Sequence, residues 1–183
     1  MELHIETPLK KDIIRKMKTG DIVYISGTIY TARDAAHKRM MDIIRDGGIL
    51  PFDIEDQIIY YAGPCPASPG KVIGSAGPTT SGRMDAYAPE FIKLGLGGMI
   101  GKGLRSKEVV DAMMKYESVY LGAVGGAGAL ISRTIIKQEV IAFPDLGAEA
   151  IRKLEVKNFP AFVVVDSHGN DLYKVGKEKF RIK

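Results

Sequence analysis

DIVYISGTIYTARDAAHKRMMDIIRDGG, residues 21–48, carries a strand and a helix in one run. DIVYISG (21–27) is apolar and β-branched, which predicts a buried strand. From Thr31 the apolar residues recur at helical spacing through about Arg45. Thr31 has the chemistry of a helix cap, Asp34 stands in the N3 place of a weak capping box, and Gly47-Gly48 is the stop. A strand feeding directly into a helix is the unit from which α/β domains are built.

Working outward, residues 1–7 form a candidate first strand. Pro8 to Lys18 has helical spacing at Ile13, Ile14 and Met17, closed by Gly20. Downstream, 57–63 (QIIYYAG) and 71–77 (KVIGSAG) read as short strands. Ala88-Pro89 looks like a cap and first turn, with Gly95 as the stop. Residues 106–116 form an amphipathic helix with a Ser106 cap, and 118–124 a strand. Residues 127–137 read as helix, 138–144 as strand, 147–156 as a short helix, and 160–175 as strand, turn, strand around His168-Gly169-Asn170. The fold class expected is α/β, one domain over residues 1–183, with a mixed sheet and flanking helices.

The chain has 183 residues, 45% of them apolar, enough for one well-buried domain. Its formal net charge of +4 is scattered apart from Lys10-Lys11 and a lysine-rich end from Lys174 to Lys183. That end reads as a solvated tail. No basic stripe with interleaved aromatics is present, so nucleic acid is not the expected partner. A mild positive charge suits an anionic metabolite. One cysteine excludes an internal disulfide and points to a reducing compartment. The N-terminus has no apolar core of signal-peptide type. The longest weakly polar run, 119–131, is short of the ~20 residues that span a bilayer. The expectation is a cytoplasmic, soluble protein without a membrane.

Four side chains stand out in Gly- or Thr-rich stretches: Arg33 in TARDAAH, Thr79 and Arg83 in GSAGPTTSGRMD, and Lys102 in GMIGKG. Two planar guanidinium forks can each hold a carboxylate bidentately, and an ammonium adds a point charge. Arg33 falls in the first turn of a helix, where a cation needs a counter-charge that Asp34 could supply. The same pair also reads as an ordinary surface ion pair. His37 lies at i+3 from Asp34, to be oriented by that carboxylate or simply to pack. Thr79 and Arg83 are four apart and can address one ligand if a helical turn begins near Thr80. GLGGMIGKG fails the phosphate-loop pattern, because Leu96 and Gly103 occupy the Gly and Ser/Thr positions. GAVGGAGA (122–129) fails the dinucleotide spacing, and close strand–helix packing accounts better for its small residues. Cys65 is a small residue between prolines. With one cysteine and three scattered histidines (His4, His37, His168), the chain has no metal-ligand set of its own and resembles half of an active site.

These strings together resemble the β subunit, or C-terminal domain, of class I fumarate hydratases and L(+)-tartrate dehydratases. The likeness runs over nearly the whole chain, through TARDAAHKRM, IIYYAGPCP, PGKVIGSAGPTTSGRMDAYAP, LGLGGMIGKG, YLGAVGGAGALI and EAIRKLEVKNFPAFVVVDSHGNDLY. The resemblance implies a swivelling β/β/α fold. It implies a site shared with a larger α subunit, whose three cysteines bind a 4Fe–4S cluster with one iron open to substrate. It implies that Arg33, Arg83 and Lys102 bind the carboxylates of a small dicarboxylate and that Thr79 takes part in proton transfer, with Lys102 also in the catalytic set. Asp34, His37 and Asp85 would orient them. The implied reaction is reversible hydration of fumarate to L-malate. Dehydration of L(+)-tartrate to oxaloacetate and a non-catalytic dicarboxylate-binding module are the alternatives. Self-association of the chain stays open.

Overall fold

The computed structural model describes the backbone of residues 1–180 and the side chains through Gly176. The last three residues of the lysine-rich end lie outside it. Seven strands form one sheet in the order β1-β2-β3-β4-β5-β7-β6. They are β1 (Glu2–Glu6), β2 (Ile22–Thr31), β3 (Ile58–Tyr60), β4 (Gly98–Gly101), β5 (Val119–Gly122), β6 (Ile135–Ala142) and β7 (Ile151–Val165). The pairs from β1 to β5 are parallel. β7 is antiparallel to β5, to β6 and to β2. Its pairing with β2, from Ile22↔Phe162 to Thr31↔Arg152, closes β2-β3-β4-β5-β7 into a ring. The mixed α/β expectation is met.

The ring explains why its strands read as continuous apolar runs. Ile58 and Tyr60 of β3, Ile100 of β4, Val119 and Leu121 of β5 and Val163 of β7 fill one core, the inside of the ring. Their neighbours Ile59, Met99, Tyr120 and Val164 fill a second core, under the helices. Successive side chains of a strand point to opposite faces, so burial on both sides removes the polar alternation. The covering helices are α2 (Asp34–Arg45), α3 (Ala88–Lys93) and α4 (Lys107–Tyr116), while α1 (Lys11–Ile14) packs Ile14 into the inner core. Ser106 caps α4 as expected, its Oγ accepting from Val109 N–H at 3.4 Å.

Several expected elements are different. Thr31 ends β2 and its hydroxyl accepts the Arg152 N–H at 3.2 Å, so Arg33 takes the N-cap position of α2. Tyr87 rather than Ala88 caps α3. Residues 71–77 form no strand; their backbone is spent on single bonds, such as Cys65 N–H to Ser75 O at 2.9 Å and Ala76 N–H to Gly128 O at 3.1 Å. The helix expected over 127–137 is one turn, α5 (Gly128–Ile131), followed by a 3₁₀ turn and by β6. The helix expected over 147–156 is a 3₁₀ segment (Pro144–Glu149) and then the long strand β7. Ile151 and Leu154 fit a helical spacing, but Leu154, Val156, Phe159 and Ala161 are buried in the period of a strand bent once at Asn158 (φ 51°). After the turn at His168, which is exposed, residues 172–180 are helix α6, not strand. Strand β4 had no sequence signal because Gly98 and Gly101 dominate it. A Cβ at Gly98 would lie 3.2 Å from the Leu9 side chain, and one at Gly101 would fall on Ser81 Oγ and 3.0 Å from the Tyr61 ring.

Substituting Gly101→Ala therefore forces Ser81 or β4 to move. The expected loss is about 1–3 kcal/mol of stability, the usual range for overpacking, read as a lower urea midpoint with unchanged slope. A variant as stable as the parent would show that the two segments do not meet.

Candidate active site

Strands β2, β3 and β4 run parallel, so their carboxyl ends share one edge of the sheet, the edge at which α/β sheets place ligands. Arg33 follows β2, Tyr61 to Gly63 follow β3 and Lys102 follows β4. Residues 78–81 are wedged among these extensions. Thr79 N–H donates to Tyr61 O at 2.7 Å, Lys102 N–H to Thr79 O at 3.3 Å, and Ser81 N–H to Lys102 O at 2.9 Å. Thr79 is thus fixed on both backbone groups with its side chain partly exposed. Tyr120 Oη donates to Gly103 O at 3.0 Å, which leaves Ser81 Oγ–H as the donor in their 2.8 Å bond. A 3₁₀ turn (Ser81–Met84) then presents Arg83 to solvent.

Arg33 and Arg83 meet on one carboxylate. Arg83 Nε lies 2.9 Å from Asp34 Oδ1, and Arg33 Nη2 lies 3.8 Å from Asp34 Oδ2. Glu149 adds a second counter-charge, its Oε1 3.3 Å from Arg33 Nη2. Its Oε2 accepts the Ala35 N–H at 3.0 Å, capping α2 from across the fold. Arg33 lies against Gly63, where a Cβ would stand 2.9 Å from Nη1. Lys102 is exposed and forms no ion pair among the described residues. The structure therefore gathers Arg33, Asp34 and Arg83 into one cluster and joins Thr79 to Lys102 through the backbone. Glu149 and Gly63 were missed by sequence reasoning. Nothing local marks Glu149, since its role depends on where β7 begins.

The orienting residues act differently from expectation. His37 is fully buried, and its ring bonds not to Asp34 but to Arg33 O, with Nδ1 at 2.8 Å. A carbonyl only accepts, so Nδ1 carries the proton, and Nε2 is buried without a partner among the described residues. The helix turn explains the choice: the Arg33 carbonyl four residues earlier already takes the His37 N–H at 2.8 Å. Tyr61 and Phe91 pack edge-on against the ring at 5.4 and 5.3 Å. Burial pushes the imidazole pKa down to about 4. Asp85 turns away from the cation cluster: Oδ1 accepts from Arg105 Nε at 2.7 Å and Oδ2 from Ser106 N–H at 2.6 Å.

Among the described residues, no three His, Cys, Asp or Glu side chains could share a metal ion. Cys65, the single cysteine, is exposed in the loop after β3. An iron–sulfur cluster needs several thiolates, so the residues of this chain do not fit one. No described helix is long and apolar enough to cross a membrane.

At the parallel edge of the ring stand two arginines paired with two carboxylates, together with Thr79 and the exposed Lys102. The sequence profile of the fumarase C-terminus matches residues 1–176, and the chain belongs to that family. It is 43% identical over 185 residues to a Methanocaldococcus jannaschii protein named "Putative L(+)-tartrate dehydratase subunit beta", covering 98% of this chain and 94% of that one. It is 42% identical to fumarate hydratase 2 of Leishmania major, covering 94% of this chain and 33% of the relative. It is 46% identical to the anaerobic class I fumarate hydratase of Escherichia coli over 82% of this chain and 28% of the relative. The chain thus spans about a third of the length of these fumarate hydratases.

The buried His37 makes stability depend on pH. Its folded pKa, about 4, lies below the ordinary 6.5, so the unfolded chain takes up a proton that the folded chain refuses. Stability from this group is complete above about pH 6.5 and falls as the pH drops toward 4, by roughly 3 kcal/mol in all. Urea titrations between pH 7.5 and 4.5 should show that loss, and His37→Gln should remove it. The same slope in the variant would mean another group titrates.

Proposed function

We propose that this chain is the β half of a class I fumarate hydratase, adding water reversibly to fumarate to give L-malate at a site completed by a larger α partner. The observation that carries this reading is the convergence of Arg33 and Arg83 on Asp34, at the sheet edge that also bears Thr79 and Lys102. The family and the named relatives support it. The fumarate hydratases it resembles are about three times as long. In this reading the length not matched by this chain is the counterpart of the α partner, and that partner rather than this chain holds the 4Fe–4S cluster.

In this reading Asp34 and Glu149 hold two guanidinium groups near each other before substrate arrives, limiting their repulsion. Fumarate brings two carboxylates, one for each arginine. Addition of water at one alkene carbon builds negative charge on the carboxylate borne by the other alkene carbon, the one that takes the proton, and fixed cations aimed there stabilise it as it forms. Lys102, on the backbone segment bonded to Thr79, adds the third cation. Thr79 handles the proton at the reacting carbon, its backbone held by the two hydrogen bonds to Tyr61 and Lys102. A threonine hydroxyl is a weak base, so a group on the partner must activate it. His37 holds no proton to give at neutral pH beyond the one it donates to Arg33 O; it fixes the loop that carries Arg33.

A second reading is dehydration of L(+)-tartrate, favoured by the near-complete overlap with the M. jannaschii relative. The same clamp would serve. Mixing the chain anaerobically with its cluster-loaded partner and assaying fumarate and L-tartrate separately decides between them. Turnover of neither, with dicarboxylate still bound, would leave a binding module.

With the partner present, Arg83→Met should lower kcat/KM about 10²- to 10³-fold, the scale for removing one stabiliser of developing charge. The complex and the absorbance of its cluster should survive. Turnover at the parent rate would sink the assignment of Arg83.

A further inference from the structure

Arg105 is a cation whose side chain has no exposed surface. The proposed clamp does not use it. Its Nε is 2.7 Å from Asp85 Oδ1, its Nη1 reaches Met99 Sδ at 3.4 Å, and its guanidinium lies over the rings of Tyr61 and Tyr120 at 5.4 and 5.0 Å. Nη2 is buried with no partner among the described residues, as is Tyr61 Oη. A buried ion pair of this kind is a poor source of stability, since apolar groups of similar volume often do as well or better. The reason for a cation at this position lies in what Arg105 touches.

Each contact leads to a different piece of the half-site. Asp85 lies two residues beyond Arg83 and also takes the Ser106 N–H. The carbonyl of Tyr61 receives the Thr79 N–H. The hydroxyl of Tyr120 is bonded to Ser81 Oγ and to Gly103 O, the neighbours of Thr79 and Lys102. One guanidinium thus touches Asp85, at the end of the segment that bears Thr79 and Arg83, Met99 of the strand that leads into Lys102, and two tyrosines hydrogen-bonded to those segments. Its planar shape suits that position, with an edge for a carboxylate and two faces for aromatic rings.

We propose that Arg105 is a positioning residue, which sets the segments carrying Thr79, Arg83 and Lys102 against one another. It touches no substrate. Its catalytic consequence rests on the hydratase reading, but its structural consequence does not.

The experiment therefore has two arms. In the first, amide hydrogen exchange is followed in the isolated chain. Arg105→Met leaves Asp85 buried and unpaired, so the outcome is scored on Arg105→Met with Asp85→Asn, which removes both charges. The Thr79, Ser81 and Lys102 amides should exchange about tenfold faster or more, while the Val163 amide, bonded to Asp21 O at 2.9 Å, keeps its protection. Arg105→Lys should recover part of the loss. Unchanged exchange at the three amides would overturn the proposal, and so would equal acceleration at Val163, which would mark a general loss of stability. In the second arm, with the α partner, kcat should fall about 100-fold in the double variant, the cost of misplacement by about an ångström, and by more than KM rises. If the parent chain with its partner turns over neither fumarate nor tartrate, the hydratase reading fails, and the exchange arm alone still decides the role of Arg105.

Discussion

The pairing of β2 with β7 is the constraint on which the rest of the molecule depends. It runs from Ile22↔Phe162 to Thr31↔Arg152 and turns a row of parallel strands into a ring. Closure gives the inside of the ring an apolar core of its own, while the outer faces of the same strands bury a second one under α2, α3 and α4. It also fixes where β7 starts. Because Arg152 stands opposite Thr31, Glu149 arrives at the first turn of α2, where it caps Ala35 and faces Arg33.

The pairing of the two arginines follows from that closure by electrostatics. Two guanidinium groups repel, and a helix start disfavours a cation. Arg33 and Arg83 are held together because Asp34 and Glu149 lie between and beside them. Burial then does a second job below the surface. His37 is kept neutral and donates to the Arg33 carbonyl, so the loop is anchored without another charge near the cluster. Arg105 keeps its charge in a dry place by pairing with Asp85. One buried ring holds the Arg33 carbonyl, and one buried cation joins Asp85 to Met99, Tyr61 and Tyr120.

Legibility in the sequence tracked how local each cause is. Helices α2 and α4 were readable from 3.6-residue spacing, and Ser106 from cap chemistry, because these effects act within a turn. Even there Thr31 misled: the same hydroxyl that can cap a helix serves as an acceptor for β7. β4 was invisible since its glycines answer to close neighbours, Ser81 and Tyr61 against Gly101, that are distant in sequence. The stretch from Ile151 to Val156 fits both a helical and a strand period, and the partner strands decided between them. Arg33, Thr79, Arg83 and Lys102 were visible as cations and a hydroxyl in Gly- or Thr-rich stretches. Glu149 and Arg105 were not, because an isolated Glu or Arg carries no local mark of its partner.

The sequence by itself determined which segments prefer helix or strand, that one cysteine cannot hold a cluster, and which residues offer anion-binding chemistry on loops. Those are properties of single residues and of spacings within a turn. Tertiary structure decided that the sheet closes, that Asp34 is shared by two arginines, that Glu149 caps a helix 114 positions away at Ala35, and that His37 answers to a carbonyl rather than a carboxylate. Such contacts fall off within a few ångströms, so they exist only once ring closure has brought distant parts of the chain that near.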